Sequence, residues 1–286
     1  MNRQQSFTNN KATLYVIATP IGNLKEISQR TIEALNDSSI IFCEDTRVSG
    51  SLLTALNIHK PLISAYENIE KASSNKAIEY LKQGQNIAFM SDAGYPGISD
   101  PGGIIIQECI KNDFNVVIVN GPSALIHSII ASGFDSSHFY FYGFLNPKES
   151  SRKKELTKLK SIEDTLIFYQ SPHKIKSCLE NMLEILGDRN ICICRELTKK
   201  FEEFIRGKIS EILPICETFK GEMVIVVEKN KEEISIPINK NMIEEINQLI
   251  VQNIAKKEAI KQIALKYKVS KNELYNYYHK EDLTNE

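Results

Sequence analysis

NIAFMSDAGYPGISDPGG, residues 86–103, decides how this chain folds. NIAFM at 86–90 is short, mostly apolar and ended by turn residues, as suits a strand buried on both faces. The thirteen residues that follow hold four glycines, two prolines and two aspartates. Glycines permit left-handed backbone and close approach to a ligand, and prolines stiffen the path. In open α/β sheets ligands bind beyond the carboxyl ends of the strands, which is where this loop lies. Asp100-Pro101 reads as the N-cap and first residue of the next helix. Ser91-Asp92-Ala93-Gly94 has no such duty, and a carboxylate at the tip of a buried strand reads as a ligand contact.

The same pattern extends in both directions. TLYVIA at 13–18, SIIFCE at 39–44 and NVVIV at 115–119 are further short apolar runs. Between them ISQRTIEAL, GSLLTALNI and NKAIEYLKQG carry apolar residues three and four apart, the spacing of helices. Strand alternating with helix means a mostly parallel sheet covered on both faces. A second such block follows Gly121-Pro122, running from the helix SALIHSIIAS and strand HFYFYGF to NICICREL and EMVIVVE. Its pattern is more mixed, because FIRGKI and EMVIVV look antiparallel. The expected organisation is a flexible N-terminus at 1–12, α/β domains at 13–121 and 122–230, and a polar linker with a basic helical module at 231–286.

The 286 residues, 42% hydrophobic and 25% charged, have the composition of a globular protein and exclude a disordered chain. Lys and Arg number 35 against 36 Asp and Glu, a net charge of −1, so nucleic acid could be held only by a local patch. No run approaches the roughly 18 apolar residues of a membrane span. MNRQQSFTNNKAT at the start lacks the apolar stretch of a signal peptide, and a cytoplasmic, membrane-free protein is expected. Six cysteines without a C-x-x-C pair are expected as reduced, mostly buried thiols, with Cys192 and Cys194 on one face of a strand.

Four loops at strand ends could carry chemistry: Thr19-Pro20-Ile21-Gly22-Asn23, Glu44-Asp45-Thr46-Arg47, the 91–103 loop and Asn120-Gly121-Pro122-Ser123-Ala124. Glu44, Asp45 and Arg47 could form a plain surface turn, yet acidic residues there face the ligand crevice. Ser123 can cap a helix whose first N–H groups still suit an anionic group. His173 and Glu196 hold equivalent positions in the second block. Neither G-x-x-x-x-G-K-[ST] nor G-x-G-x-x-G occurs, against a nucleoside triphosphatase or an NAD enzyme. H-E-x-x-H and G-x-S-x-G are missing too, and no metal site is expected. Near the C-terminus, residues 253–280 hold seven Lys against two Glu. Two amphipathic helices around Lys268-Val269-Ser270 have the look of a helix-turn-helix, capped by Ser270, with Ala259, Ile263, Ala264, Val269 and Leu274 inside. Lys256, Lys257, Lys261, Lys268, Lys271 and Lys280, interleaved with tyrosines, are expected on a face for RNA, by phosphate charge and aromatic stacking.

Taken in order, ATPIGNL at 18–24, CEDTR at 43–47, SDAGYPGISDPG at 91–102 and GPSA at 121–124 resemble successive motifs of the tetrapyrrole-methylase superfamily. The branch they resemble is the ribosomal RNA small subunit methyltransferase I family. FYGFLNPK at 141–148, LIFYQSPHK at 166–174, RELTK at 195–199, KGEMVIVVE at 220–228 and the helical tail continue the likeness across about 13–280. That resemblance implies an S-adenosylmethionine-dependent enzyme that methylates the ribose 2′-oxygen of cytidine 1402 in 16S ribosomal RNA. It implies two α/β domains with the cofactor in the cleft between them, and a homodimer. By position it implies that Pro20, Ile21, Asp92, Tyr95, Ser123, Ala124, Tyr169, Gly221, Glu222 and Met223 hold the cofactor. The sequence departs at Gln170 and Lys174, where Glu and Arg are common, which argues against residue 170 as an essential base.

A sulfonium methyl is already activated, so in-line displacement needs mainly alignment of the attacking oxygen. The ribose hydroxyl is a weak nucleophile, and a placed side chain can accept its proton. The expectation is that Glu44 or Asp45 orients or deprotonates it while Arg47 contacts RNA phosphate. Rival readings are a relative acting on a porphyrin precursor or a protein side chain, an RNA-binding remnant without chemistry, and a DNA-binding regulator. The basic tail disfavours the first, the intact SDAGYPG and GPSA loops the second, and a single small helix-turn-helix the third.

Overall fold

The computed structural model describes residues 3–66, 69–230, 238–267, 269 and 271–282. Residues 1–229 form one compact unit and 230–286 a second.

The first unit begins with β1 (Thr13–Ile17), α1 (Gln29–Asp37), β2 (Ile40–Cys43), α2 (Thr46–Ala55), β3 (Leu62–Ser64), α3 (Glu70–Lys82), β4 (Ile87–Met90), α4 (Gly103–Lys111) and β5 (Asn115–Val119). These five strands make one sheet in the order β3-β2-β4-β1-β5, every pair parallel. Every residue of β2 and β4 is buried, which is why IIFC and IAFM read as unbroken apolar runs. One face packs Phe42, Phe89, Ile105 and Leu81, and the other Leu35, Ile41, Leu53 and Met90.

The chain continues with α5 (Ala124–Ser132), β6 (Phe139–Phe144), α6 (Glu149–Leu159), β7 (Thr165–Gln170), α7 (Ile175–Leu186), β8 (Asn190–Arg195), β9 (Glu203–Lys208), α8 (Ile209–Ile212) and β10 (Met223–Val227). Their sheet runs β6-β7-β10-β8-β9. Only β6 and β7 are parallel, while β10 pairs antiparallel with β7 and β8, and β9 antiparallel with β8. FIRGKI and EMVIVV are each antiparallel to β8, which lies between them, so they make the mixed pattern expected without pairing with one another. Helix α5 closes one face, with Ile129 packed among Ile167, Cys192, Val224 and Val226.

Three local expectations change. Helix α4 starts at Gly103, not after an Asp100 cap: Gly102 holds the N-cap position without any side-chain bond. The carboxylate of buried Glu70 on α3 does that work instead, its Oε1 accepting from the amides of Gly102 (3.0 Å), Ile104 (2.8 Å) and Ile105 (3.4 Å). Helix α2 begins at Thr46, ahead of the run GSLLTALNI, because Asp45 caps it. Strand β3, three half-buried residues at a sheet edge, has too little pattern to be read from sequence. All six cysteines are free and buried.

The second unit holds α9 (Lys240–Val251), α10 (Lys256–Tyr267) and α11 (Lys271–Asp282). Ala259, Ile263, Ala264 and Leu274 are buried together with Met242 and Ile246, and Val269 packs against them. The small core expected from spacing forms, with α9 as its third wall. Among the described residues no helix is long and apolar enough to cross a membrane.

Candidate active site

Three neighbouring strands, β4, β1 and β5, deliver their C-terminal loops to one place. Thr19 and Gly94 exchange backbone bonds, Thr19 N–H to Gly94 O at 2.9 Å and Gly94 N–H to Thr19 O at 3.1 Å. The amide of Gly121 donates to the Tyr95 hydroxyl (3.2 Å), tying the loop after β5 to the glycine loop. A Cβ on Gly121 would lie 2.7 Å from the carbonyl oxygen of Ala18, so this crossing of backbones requires glycine.

Against this floor the second sheet's loops close a cavity of about 390 Å³. Ile21, Asp92, Tyr95, Ser123 and Ala124 line it from the first half, and Tyr169, Glu222 and Met223 from the second. Eight of the ten residues expected to hold a cofactor thus meet in one space. Pro20 instead lines an adjoining groove of about 290 Å³ with Leu24, Val48 and Leu52, and that groove shares Asp92 with the cavity. Gly221 is absent from the lining. It stands behind Glu196, whose Oε1 would be 2.1 Å from a Cβ there, with φ +81°.

The Glu44-Asp45-Arg47 group is divided. Glu44 lines the cavity; Asp45 and Arg47 do not. Asp45 caps α2, its Oδ1 accepting from the Arg47 amide at 2.8 Å, and the Arg47 guanidinium grips the same carboxylate at 3.1 and 3.2 Å. Those bonds hold the Asp45 carboxyl down at about 2, a poor proton acceptor. Glu44 differs: burial pushes its carboxyl up, reinforced by the charge of Asp92. Burial likewise raises Asp92, whose Oδ1 accepts from the Asp45 amide at 3.2 Å.

Several lining residues were not anticipated. Asp100 lines the cavity. As a residue it is open to solvent, yet its carboxyl loses hydration in the cavity wall and faces the charges of Glu44, Asp92 and Glu222, which push it up to about 6. Lys199 lies across the cavity, paired with Glu196 (3.1 Å) and Glu222 (3.6 Å). Burial pulls the Lys199 ammonium down, but those two carboxylates outweigh it and hold it raised. Glu196, placed by its strand-end position, and Leu125, Phe144 and Gln170 also line the space, while His173 does not. The rule that found Asp92, a polar residue just past a buried strand, also points to Glu196–Lys199 after β8. Among the described residues no group of His, Cys, Asp or Glu is arranged to hold a metal ion.

In the second unit Lys257, Lys261 and Lys271 are exposed, and Lys256 lies over the ring of Tyr278 at 4.5 Å. Lys268 and Ser270, with the side chain of Lys280, fall outside the described residues.

Comparison with known proteins places this geometry in a family. The profile of the Tetrapyrrole (Corrin/Porphyrin) Methylases matches residues 13–213. Ribosomal RNA small subunit methyltransferase I of Bacillus subtilis (strain 168) is 42% identical, covering 98% of this chain and 99% of that protein. Its namesake from Thermotoga maritima is 42% identical over 75% of this chain and 97% of its own, so a quarter of this chain has no counterpart there. Among solved structures, diphthine synthase aligns with a TM-score of 0.60 at 12% identity over 76% of this chain and 90% of its own. Uroporphyrin-III-C-methyltransferase of Thermus thermophilus aligns at 0.56 and 15%, over 77% and 95%. At such identities the likeness of structure speaks for the fold alone. With nearly full-length relatives on one side and a two-sheet methylase cleft on the other, the chain belongs to the tetrapyrrole methylase family and, within it, to the ribosomal RNA small subunit methyltransferase I family.

Proposed function

We propose that this protein methylates 16S ribosomal RNA of the small subunit, using S-adenosylmethionine to place a methyl group on the ribose 2′-oxygen of cytidine 1402. The supporting observation is the cavity between the two halves, whose lining brings eight of the ten expected cofactor residues together. Its donor set suits the cofactor. Glu44, Asp92 and Glu222 give a wall of carboxylates for a sulfonium and an ammonium, while Ile21, Leu125, Tyr169 and Met223 offer apolar surface. Bound there, S-adenosylmethionine supplies an electrophilic methyl that needs no further activation.

The protein's part is alignment, exclusion of water and handling of the proton. Glu44 lines the cavity and its carboxylate accepts from the Asp92 amide at 3.5 Å, which supports a role in orienting the ribose hydroxyl. Asp45 fixes the start of α2 and the direction of Arg47, whose side chain is 88% exposed and available to RNA phosphate. The groove lined by Pro20, Leu24 and Val48 shares Asp92 with the cavity, which supports it as the approach of the RNA strand. Lys256, Lys257, Lys261 and Lys271 of the second unit add phosphate charge, the role also assigned to Lys268 and Lys280. We further propose domains dividing at 121/122, a homodimer as the working form, to be tested by sedimentation, and action in the cytoplasm, where ribosomal subunits are assembled.

The test is methyl transfer from labelled S-adenosylmethionine to small subunits lacking the modification, followed by nucleoside analysis. Label in 2′-O-methylcytidine at one site is the expected result. Unlabelled RNA with normal cofactor binding turns the assignment toward the porphyrin- or protein-methylating relatives.

A further inference from the structure

Asp100 presents an anomaly. An aspartate before Pro-Gly at a helix start ordinarily caps that helix. Here buried Glu70 takes the amides of Gly102, Ile104 and Ile105, and Asp100 makes no hydrogen bond or ion pair among the described residues. The segment that carries it is nevertheless held on both sides. Gly97 N–H bonds Pro101 O at 2.9 Å, closing the loop below Asp100. Ser99 sits in the left-handed region at φ 63°, a conformation a non-glycine residue adopts only when its surroundings impose it. Its Oγ occupies the space a Cβ on Gly143 would need, 3.0 Å away, at the irregular point of β6. The loop from the first half is thereby seated on the sheet of the second, and its one unengaged acid lines the cavity.

We propose that Asp100 is the catalytic proton acceptor for the attacking hydroxyl, an inference that rests on the methyltransferase reading above. The 2′-oxygen forms its bond to the methyl carbon, the carbon–sulfur bond breaks with its electron pair remaining on sulfur, and the hydroxyl proton passes to an Asp100 carboxylate oxygen. Charge balances: a sulfonium and a carboxylate are consumed, a thioether and a carboxylic acid remain. The other acids are less suited. Asp45 is held by Arg47, Asp92 accepts from the Asp45 amide, and Glu222 pairs with Lys199. Glu44 is left to orient the hydroxyl. The groups facing Asp100 are Glu44 after β2, Asp92 on its own loop, Glu222 before β10 and the Tyr169 phenol on β7. Lost hydration, reinforced by three negative neighbours, raises the carboxyl to about 6, so it is ionised and still basic near neutral pH.

The experiment compares wild type, Asp100→Asn and Asp100→Glu in single-turnover methylation of small subunits from pH 5 to 9. Cofactor affinity is measured by calorimetry, and the Asp100 carboxyl is titrated by NMR in the protein without cofactor. Wild type should lose rate below about pH 6. Asp100→Asn should fall by roughly 10²–10⁴-fold, without that acid limb and with a cofactor Kd within threefold of wild type. Asp100→Glu should keep the limb and lie between. Asp100→Asn turning over within threefold of wild type, keeping the limb, or losing activity only through weaker cofactor binding overturns the assignment. So does a carboxyl titrating near 4. A wild type inactive on RNA defeats the methyltransferase reading instead, and the NMR titration then still reports on Asp100.

Discussion

Replacing Glu70 by alanine should loosen the glycine loop far more than one exposed cap would. Glu70 is 6% exposed and its carboxylate accepts from three amides, two of them belonging to buried residues. Losing a helix N-cap costs about 0.5–2 kcal/mol. Leaving a buried donor unsatisfied costs about 1–3 kcal/mol, and bonds to a charged acceptor lie at the upper end. Two well-made bonds, at 2.8 and 3.0 Å, and one long one at 3.4 Å therefore amount to about 3 kcal/mol, or more than a hundredfold in the opening equilibrium. Glu70→Gln keeps an acceptor oxygen and should lose only about 1 kcal/mol, the value of a charge at a helix N-terminus. Hydrogen exchange at the amides of 102, 104 and 105 reads this directly, without assuming one cooperative transition for a chain of two units. Amides of β10 serve as the internal control. Protection in Glu70→Ala within 0.5 kcal/mol of wild type would falsify the remote-cap account. Equal loss in the alanine and glutamine variants would show that charge, rather than acceptor geometry, holds the loop.

Other consequences can be measured alongside it. Gly221→Ala forces a side chain at φ +81° onto Glu196, so at least tenfold weaker cofactor binding and a stability loss of about 1–2 kcal/mol are expected; calorimetry and urea titration check both. Arg47→Ala removes the guanidinium that depresses Asp45, whose carboxyl should climb from about 2 toward its ordinary value by NMR. In wild type that depressed carboxyl favours the folded state above the ordinary carboxylate range, and the advantage fades as pH falls toward 2; a pH-independent difference between the two proteins contradicts it. Asp100 works in the opposite sense, because its raised carboxyl penalises the folded state as pH rises from about 4 through 6. Asp100→Asn should accordingly unfold no more easily than wild type at pH 8, and a variant clearly less stable there would give Asp100 a structural role. Lys257→Ala with Lys271→Ala should weaken RNA binding at all sequences and lower the salt slope by roughly one for each phosphate no longer neutralised; an unchanged slope removes the second unit from the interface.

Sequence alone determined the features set by short-range patterning. NIAFM and SIIFC are unbroken apolar runs because their strands are buried on both faces, and that property survives without any knowledge of neighbours. Glycine-rich loops at strand ends located the site, and ten residues were placed by resemblance, eight of which share one cavity. Spacing on α10 and α11 gave the small helical core. Tertiary structure alone decided which charged groups are free to act. Asp45 and Glu44 are adjacent in the chain, yet the start of α2 engages one and leaves the other facing the cavity. Asp100 looks like a cap until Glu70, thirty residues earlier, is found holding the same amides. Lys199 and Gly22 are far apart in sequence, and only the meeting of two sheets stacks the lysine stem where a Cβ at Gly22 would stand. Burial and backbone pattern follow from neighbours within a few residues. The ionisation and reach of a carboxylate depend on charges and donors brought together from distant parts of the chain, and those become defined only when the chain has folded.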